Sequence, residues 1–221
     1  MFPAYLKPLS NFFRKRRNRR LHQLVEQLSS AKGGPIDVLD IGGSLGFWRN
    51  IPENVRAKCN VVLLNLPGAY EADQRDGNEI LGTTVSLLTG DARDLSRFGD
   101  SSFDLIVCNS VLEHVGSWSD MKSAAEEARR VGRRGLVQVP AFEFPIEQHY
   151  LLPFIHWFAF PIQVKLLALL HRDFTKWSFH DQHMLVHHTQ PLTRTELQEL
   201  FPGAEISREW VVLPKSHSAF W

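Results

Sequence analysis

The sequence predicts an α/β fold, a mostly parallel sheet with helices on both faces, and three observations lead there. An apolar run at residues 36–39 ends in Asp40 and turns at once through Gly42, Gly43 and Gly46. Four further apolar runs follow, at 60–64, 84–88, 103–108 and 135–139. Before the last of them lies a helical stripe, Met121, Ala125, Ala128 and Val131. Short apolar strands alternating with helical segments are the pattern of βαβ units in a parallel sheet.

At 221 residues the chain suits one domain with a substantial core. Hydrophobic content of 43% and charged content of 22% are those of an ordinary soluble globular protein. Cys59 and Cys108 border or sit in predicted strands, so they read as small core residues in a reducing compartment, not as a disulfide or a metal pair. No secretory leader is expected, because arginines follow the first apolar stretch without a small-residue cleavage site.

The front of the chain is strongly basic. Residues 1–24 carry Lys7, Arg14, Lys15, Arg16, Arg17, Arg19 and Arg20 and no acid, a balance of +7 within a net charge of +1. Phe2, Tyr5, Leu6, Leu9, Phe12 and Phe13 are interleaved with these charges or precede them. Three readings stay open. An amphipathic helix over 10–31, capped by Ser10 or Asn11 and stopped by Gly33-Gly34-Pro35, can pack on the domain through Leu21, Leu24, Val25 and Leu28. The aromatics and cations also suit an anionic membrane surface, and the charge alone suits phosphate backbone, although nucleic acid is the least expected partner.

The turn after the first strand is where an open α/β sheet holds a nucleotide-like ligand. A dinucleotide fingerprint needs glycines at the first, third and sixth places, which here hold Gly42, Ser44 and Phe47. That match fails twice. Residues 48–54 allow a short helix limited by Pro52, and the polar stretch 67–83 reads as loop with a short helix.

Asp40, Gly42 and Gly46 instead resemble the first motif of class I S-adenosylmethionine-dependent methyltransferases, D-x-G-x-G-x-G, with Ser44 in place of the middle glycine. That replacement is mild if residue 44 keeps a negative φ. The resemblance runs on in order. Asn65, followed by Leu66, closes the second strand where the family has an acid for the ribose hydroxyls. Gly90-Asp91-Ala92 resembles the adenine-reading loop, and Asn109-Ser110-Val111-Leu112-Glu113-His114-Val115 resembles the fourth motif, beside the methyl donor. It implies a three-layer Rossmann-like sandwich of seven strands, ending antiparallel, with S-adenosylmethionine as cofactor. The implied cofactor contacts are Asp40, Gly42, Gly43, Ser44, Gly46, Asn65, Leu66, Asp91, Ala92, Asn109 and Ser110.

The rest of the chain completes that plan. Residues 117–131 read as a helix, with Arg129, Arg130, Arg133 and Arg134 favourably placed at its end. Residues 151–170 are broken by Pro153 and Pro161 and carry His156, Gln163 and Lys165, so they read as two short lid helices and not a membrane span. Thr193 and Glu196 are spaced as a capping box for a helix to residue 200, and 204–213 with 217–221 suit a terminal antiparallel pair. The division expected is a basic helical segment, 1–34, then a methyltransferase domain, 35–221, whose lid spans 141–190.

An oxygen acceptor must lose its proton, and histidine suits that near neutral pH. After the fifth strand, Phe144-Pro145-Ile146-Glu147-Gln148-His149 resembles loops of bacterial methyltransferases encoded with glycan or secondary-metabolite pathways. His149 is the leading base, with Glu147 orienting it or binding a hydroxyl, and His114 the second candidate. The alternative for the pair is tying the lid down. His171, His180, His183, His187 and His188 crowd together, but no metal motif accompanies them and no metal is assigned. Asn109-Ser110-Val111-Leu112 lacks the Pro-Pro-aromatic pattern of adenine and amide-nitrogen methylation. The expected reaction is methyl transfer to an oxygen, or a nitrogen, of a small or lipid-linked acceptor, with a glycan hydroxyl favoured. The alternatives are a phenolic or quinone-like acceptor and a non-catalytic scaffold binding cofactor or RNA. The expected site of action is cytoplasmic, with peripheral contact at the membrane through residues 1–20.

Overall fold

A computed structural model describes residues 7–68, 83–147, 152–170, 176–187 and 189–221, with 7–17, 179, 184 and 185 described by backbone alone. Helix α1 (Lys7–Lys32) leads into β1 (Ile36–Ile41), then α2 (Leu45–Arg49), α3 (Glu53–Arg56), β2 (Cys59–Asn65) and β3 (Thr84–Thr89). There follow β4 (Leu105–Asn109), a 3-10 turn at Leu112–His114, α4 (Trp118–Val131) and β5 (Gly135–Pro140). A second 3-10 turn at Ile155–Trp157, α5 (Phe160–Leu170), α6 (Phe179–His187), α7 (Arg194–Leu200), β6 (Glu205–Trp210) and β7 (Pro214–Phe220) complete the described elements.

The strands form one sheet in the order β3-β2-β1-β4-β5-β7-β6. The first five are parallel, and β7 lies antiparallel between β5 and β6. The seven-stranded α/β architecture expected from the sequence is the one observed. Because β1 pairs with β2 on one side and β4 on the other, the chain reverses direction across the sheet there. The crevice at that switch point, outside the carboxyl ends of β1 and β4, is where such sheets bind ligands.

Two apolar layers hold the sheet. On one face Leu21 and Val25 of α1, Trp48 and Val55 pack on Ile36, Val38, Val61 and Leu63. On the other, Met121, Ala124, Ala125, Ala128 and Val131 of α4 pack on Leu39, Ile106 and Val137 with Leu197 and Phe201. The small residues of α4 keep that helix close to the sheet, and a Cβ at Gly132 would strike Ile106 at 2.1 Å. A third small cluster, Ile155, Leu167 and Val186, binds α5, α6 and the second 3-10 turn together. Cys59 and Cys108 are both free and buried, and burial pushes the Cys59 thiol up to about 12.

Several boundaries differ from those expected. Ser10 and Asn11 lie inside α1 and do not cap it, because Pro8 is tolerated in a helix's first turn. The helix expected over 48–54 is two: α2 opens earlier, where the Ser44 Oγ accepts from the Phe47 N–H, and α3 opens behind Pro52. The fourth strand begins two residues late, because Phe103 makes only an isolated bridge to Gly132. The last hairpin is tighter than expected, with its tip at residues 211–213. Ser117 with Asp120 and Thr193 with Glu196 both form full capping boxes. Residues 69–82, and with them most of the stretch 67–83, lie outside the described residues. Among the described residues no helix is long and apolar enough to cross a membrane.

Candidate active site

The site is built from the turn that ends β1. Gly42 takes φ +69°, a left-handed conformation closed to most side chains, and its N–H donates to the Leu64 carbonyl at 2.7 Å. A Cβ there would meet Val111 at 2.3 Å, and one at Gly43 would meet the Asp40 Oδ2 at 2.1 Å. The backbone therefore lies flat against β4's continuation and against Asp40. Ser44 keeps φ −129° and caps α2, so its replacement of a glycine strains nothing. A Cβ at Gly46 finds no atom nearer than the Ser44 Oγ at 3.9 Å, so a methyl group has room there.

Asp40 lies beneath this turn, 1% exposed. Its Oδ2 accepts from the Trp48 indole N–H at 2.8 Å, and burial pushes its carboxyl up to about 7, against that hydrogen bond. Asp40 is thus a buried carboxyl behind the glycines.

At the end of β2, the Asn65 Nδ2 donates to the Gly43 carbonyl at 2.8 Å, tying the second strand to the glycine turn. Aspartate could not make that bond. Asn65→Asp, although closer to the family pattern, is therefore expected to lower affinity for S-adenosylhomocysteine about tenfold by setting a carboxylate against a carbonyl; equal or better affinity by calorimetry would contradict this. Leu66 is exposed beside it. Asp91 is held by Arg93, whose Nε and Nη2 donate to its carboxylate at 3.0 and 2.7 Å, while Nη1 reaches Asp120 at 2.9 Å. The Arg93 hydrogen bonds hold the Asp91 carboxyl below its usual range. Ala92 packs against the core below the loop.

At the end of β4, Asn109 has an Oδ1 shielded from solvent with no hydrogen-bond partner among the described residues. Such an orphan needs a donor. Ser110 follows at φ +56°, its N–H and Oγ–H both bonded to Gln138 at 2.9 and 3.1 Å. A left-handed non-glycine residue stores strain of the kind that gathers at functional sites. Glu113 is fully buried and His114 is exposed beside it, 4.0 Å away. The left-handed glycine backbone at the end of β1 and the unpartnered Asn109 Oδ1 at the end of β4 are the groups here that could hold a nucleoside.

The loop after β5 is pinned rather than draped. The Glu143 carboxylate meets Nε2 of the fully buried His217 at 2.9 Å, and the Ala141 N–H donates to the Lys215 carbonyl. Ile146 pairs with Pro153, and Glu147, buried, donates its N–H to the Leu152 carbonyl. His149, His171 and His188 lie outside the described residues. The Phe142 carbonyl accepts from the Trp157 indole at 2.9 Å and from His156 Nε2 at 3.0 Å. Since a carbonyl can only accept, a proton sits on Nε2. The other ring nitrogen, Nδ1, is buried and without a partner among the described residues.

His156 lines a cleft of about 360 Å³ with Phe142, Phe160, Gln163, Gln190 and Glu196, a ligand-sized volume. Gln163 and Gln190 commit their NH₂ groups to the carbonyls of Phe158 and His187, so their amide oxygens remain as acceptors. His183 and His187 pack on the Phe160 ring at 4.5 and 4.1 Å, which gives them a packing role in the lid. Among the described residues no three metal-binding side chains gather. Sequence reading passed over Glu143, His156 and His217 because their partners lie across the fold.

Residues 39–137 match the family model of the methyltransferase domain. No curated protein sequence matches the chain. Among solved structures, the chain is similar to magnesium protoporphyrin IX methyltransferase from Synechocystis, solved with S-adenosylhomocysteine: 14% identity, TM-score 0.52, covering 90% of this chain and 81% of that one. It is similar to an O-methyltransferase family protein from Burkholderia thailandensis at 13% identity and TM-score 0.53, covering 91% and 55%. It is also similar to the CurJ carbon methyltransferase at 13% and 0.51, covering 85% and 48%. These likenesses are of fold, and the folds serve different acceptor atoms.

Proposed function

We propose, from the premise that residues 39–137 are a class I S-adenosylmethionine-dependent methyltransferase domain, that the chain methylates an oxygen of a small or lipid-linked acceptor, with a glycan hydroxyl favoured. The observation that carries this reading is the cleft beside β5, lined by the amides of Gln163 and Gln190, His156 and the rings of Phe142 and Phe160. Hydroxyl-rich rings offer many donors, and Gln163 and Gln190 offer acceptors. The faces of Phe142 and Phe160 suit the apolar side of a sugar ring.

When bound, the cofactor supplies a methyl group already activated by its sulfonium. The glycine turn, Asn65 and Asn109 are the residues that would hold it, at the carboxyl ends of β1, β2 and β4. The chain's remaining work is alignment of the acceptor, exclusion of water by the lid, and removal of one proton. His149, the base expected from the sequence, takes that proton from the acceptor hydroxyl, while His156, its ring fixed by Nε2 on the Phe142 carbonyl, lines the cleft that receives the acceptor.

His149→Ala is expected to lower kcat on an oxygen acceptor about 100-fold at unchanged affinity for S-adenosylhomocysteine. Unchanged turnover at saturating acceptor would remove His149 as the base. The acceptor class is tested by offering sugar and phenol panels and scoring methyl incorporation. Labelling of sugars supports the reading. Labelling confined to phenols would favour a flat ring against the exposed aromatics Phe142, Phe154 and Trp157, and cofactor binding without turnover would favour a scaffold.

A further inference from the structure

The hairpin between β6 and β7 ends in four consecutive apolar residues, Trp210, Val211, Val212 and Leu213, all exposed, with Val212 at 87%. The turn is closed by the Val211 N–H on the Leu213 carbonyl, and these side chains cover no core. Such a run on a soluble surface calls for a use. The tip stands at the same end of the sheet as the cleft, since Ser216 pairs with Pro140 at the end of β5 and Lys215 accepts from Ala141. One residue further, the Phe142 carbonyl holds Trp157 and His156. Around it, Phe154, Trp157 and Phe158 are each nearly half exposed. Two apolar projections therefore share one rim.

We infer that this rim docks on an anionic lipid surface, with the hairpin tip as its leading contact. The charges around the tip favour lipid over a protein partner. Arg208 stacks over the Trp210 ring at 5.7 Å, and Lys215 follows on the other strand. The neighbouring acid, Glu209, is turned to accept from the Ser216 Oγ at 2.9 Å. Apolar residues at a tip, with tryptophan and cations behind them, match the layering of a bilayer interface: acyl chains, then head groups, then anionic charge. The contact is peripheral, since no described helix can span. It stands apart from the identity of the acceptor, and it moves the expected contact from the front of the chain to the end that bears the cleft.

The test is co-sedimentation of the full chain with phosphatidylcholine vesicles, with and without phosphatidylglycerol. The protein is expected to pellet with the anionic vesicles. The double variant Val212→Asp, Leu213→Asp is expected to bind at least about tenfold more weakly, at unchanged melting temperature, while Lys122→Ala on α4 binds as wild type. Since Cys59 and Cys108 are buried, a polarity-sensitive dye on Val212→Cys reads the tip alone and should shift to the blue on vesicle addition. Three results would overturn the inference: no pelleting of the wild-type chain, equal binding by the tip variant, or a dimer that forms through the tip and excludes vesicles.

Discussion

Asp40→Asn is expected to stabilise the ligand-free protein above pH 7 while weakening its hold on the methyl donor. Burial raises the Asp40 carboxyl to about 7 in the folded chain from an ordinary 3.8. Below about pH 4 both folded and unfolded chains carry the proton. Between there and about 7 only the folded chain retains it, so stability falls as pH rises and levels off above 7. The full penalty at high pH is on the order of 2–4 kcal/mol. Asparagine escapes that penalty and still accepts from Trp48, but it brings a buried NH₂ costing about 1–3 kcal/mol. The variant should thus be about 1 kcal/mol more stable than wild type at pH 8 and less stable at pH 5, read by urea denaturation at each pH. A variant whose stability follows pH in parallel with wild type would contradict the assignment.

The same charge bears on the ligand. S-adenosylmethionine carries a sulfonium cation that its demethylated product lacks, so a carboxylate beneath the turn favours the donor over the product. Asp40→Asn should cost the donor about tenfold more affinity than the product, one charge–charge interaction of about 1.4 kcal/mol. In wild type, donor affinity should rise through pH 7 as Asp40 ionises, with a flatter dependence for the product.

The second large effect is at the glycines. A methyl group at Gly43 would lie 2.1 Å from an oxygen and 2.2 Å from the carboxyl carbon of Asp40, a side chain pinned by Trp48 with no room to swing away. Gly43→Ala is expected to destabilise the fold by about 2–3 kcal/mol and to cut cofactor affinity by more than about 100-fold, since the turn must move to relieve the clash. Gly46→Ala makes the contrast. Its added methyl enters open space and a helix, so stability should hold or rise by about 0.5–1 kcal/mol while affinity falls. Loss of stability in Gly46→Ala, or retained affinity in Gly43→Ala, would break the link between the turn and the ligand.

Much of this was legible in the chain because it is local. The strand, the acidic residue and the glycines occupy consecutive positions, and the helix caps at Ser117 and Thr193 are read from residues three apart. The alanine stripe of α4 follows from helical period alone. What escaped is what the fold brings together. Trp48 satisfies Asp40 across a turn whose helix starts earlier than Pro52 suggested. Asn65 looked like a weakened ribose ligand, and its bond to the Gly43 carbonyl depends on strand register. His156 reads as a polar interruption in an apolar stretch, and only the fold shows its Nε2 on the Phe142 carbonyl and its place in the cleft. The anchor of the acceptor loop, Glu143 on His217, spans 74 residues that no local pattern connects.

The most direct measurement is a calorimetric titration of the intact chain with S-adenosylhomocysteine. The account predicts saturable one-site binding that Gly43→Ala abolishes and Lys122→Ala leaves intact. A folded protein that takes up neither this ligand nor the methyl donor would contradict the assignment of the β1 turn and every step built on it.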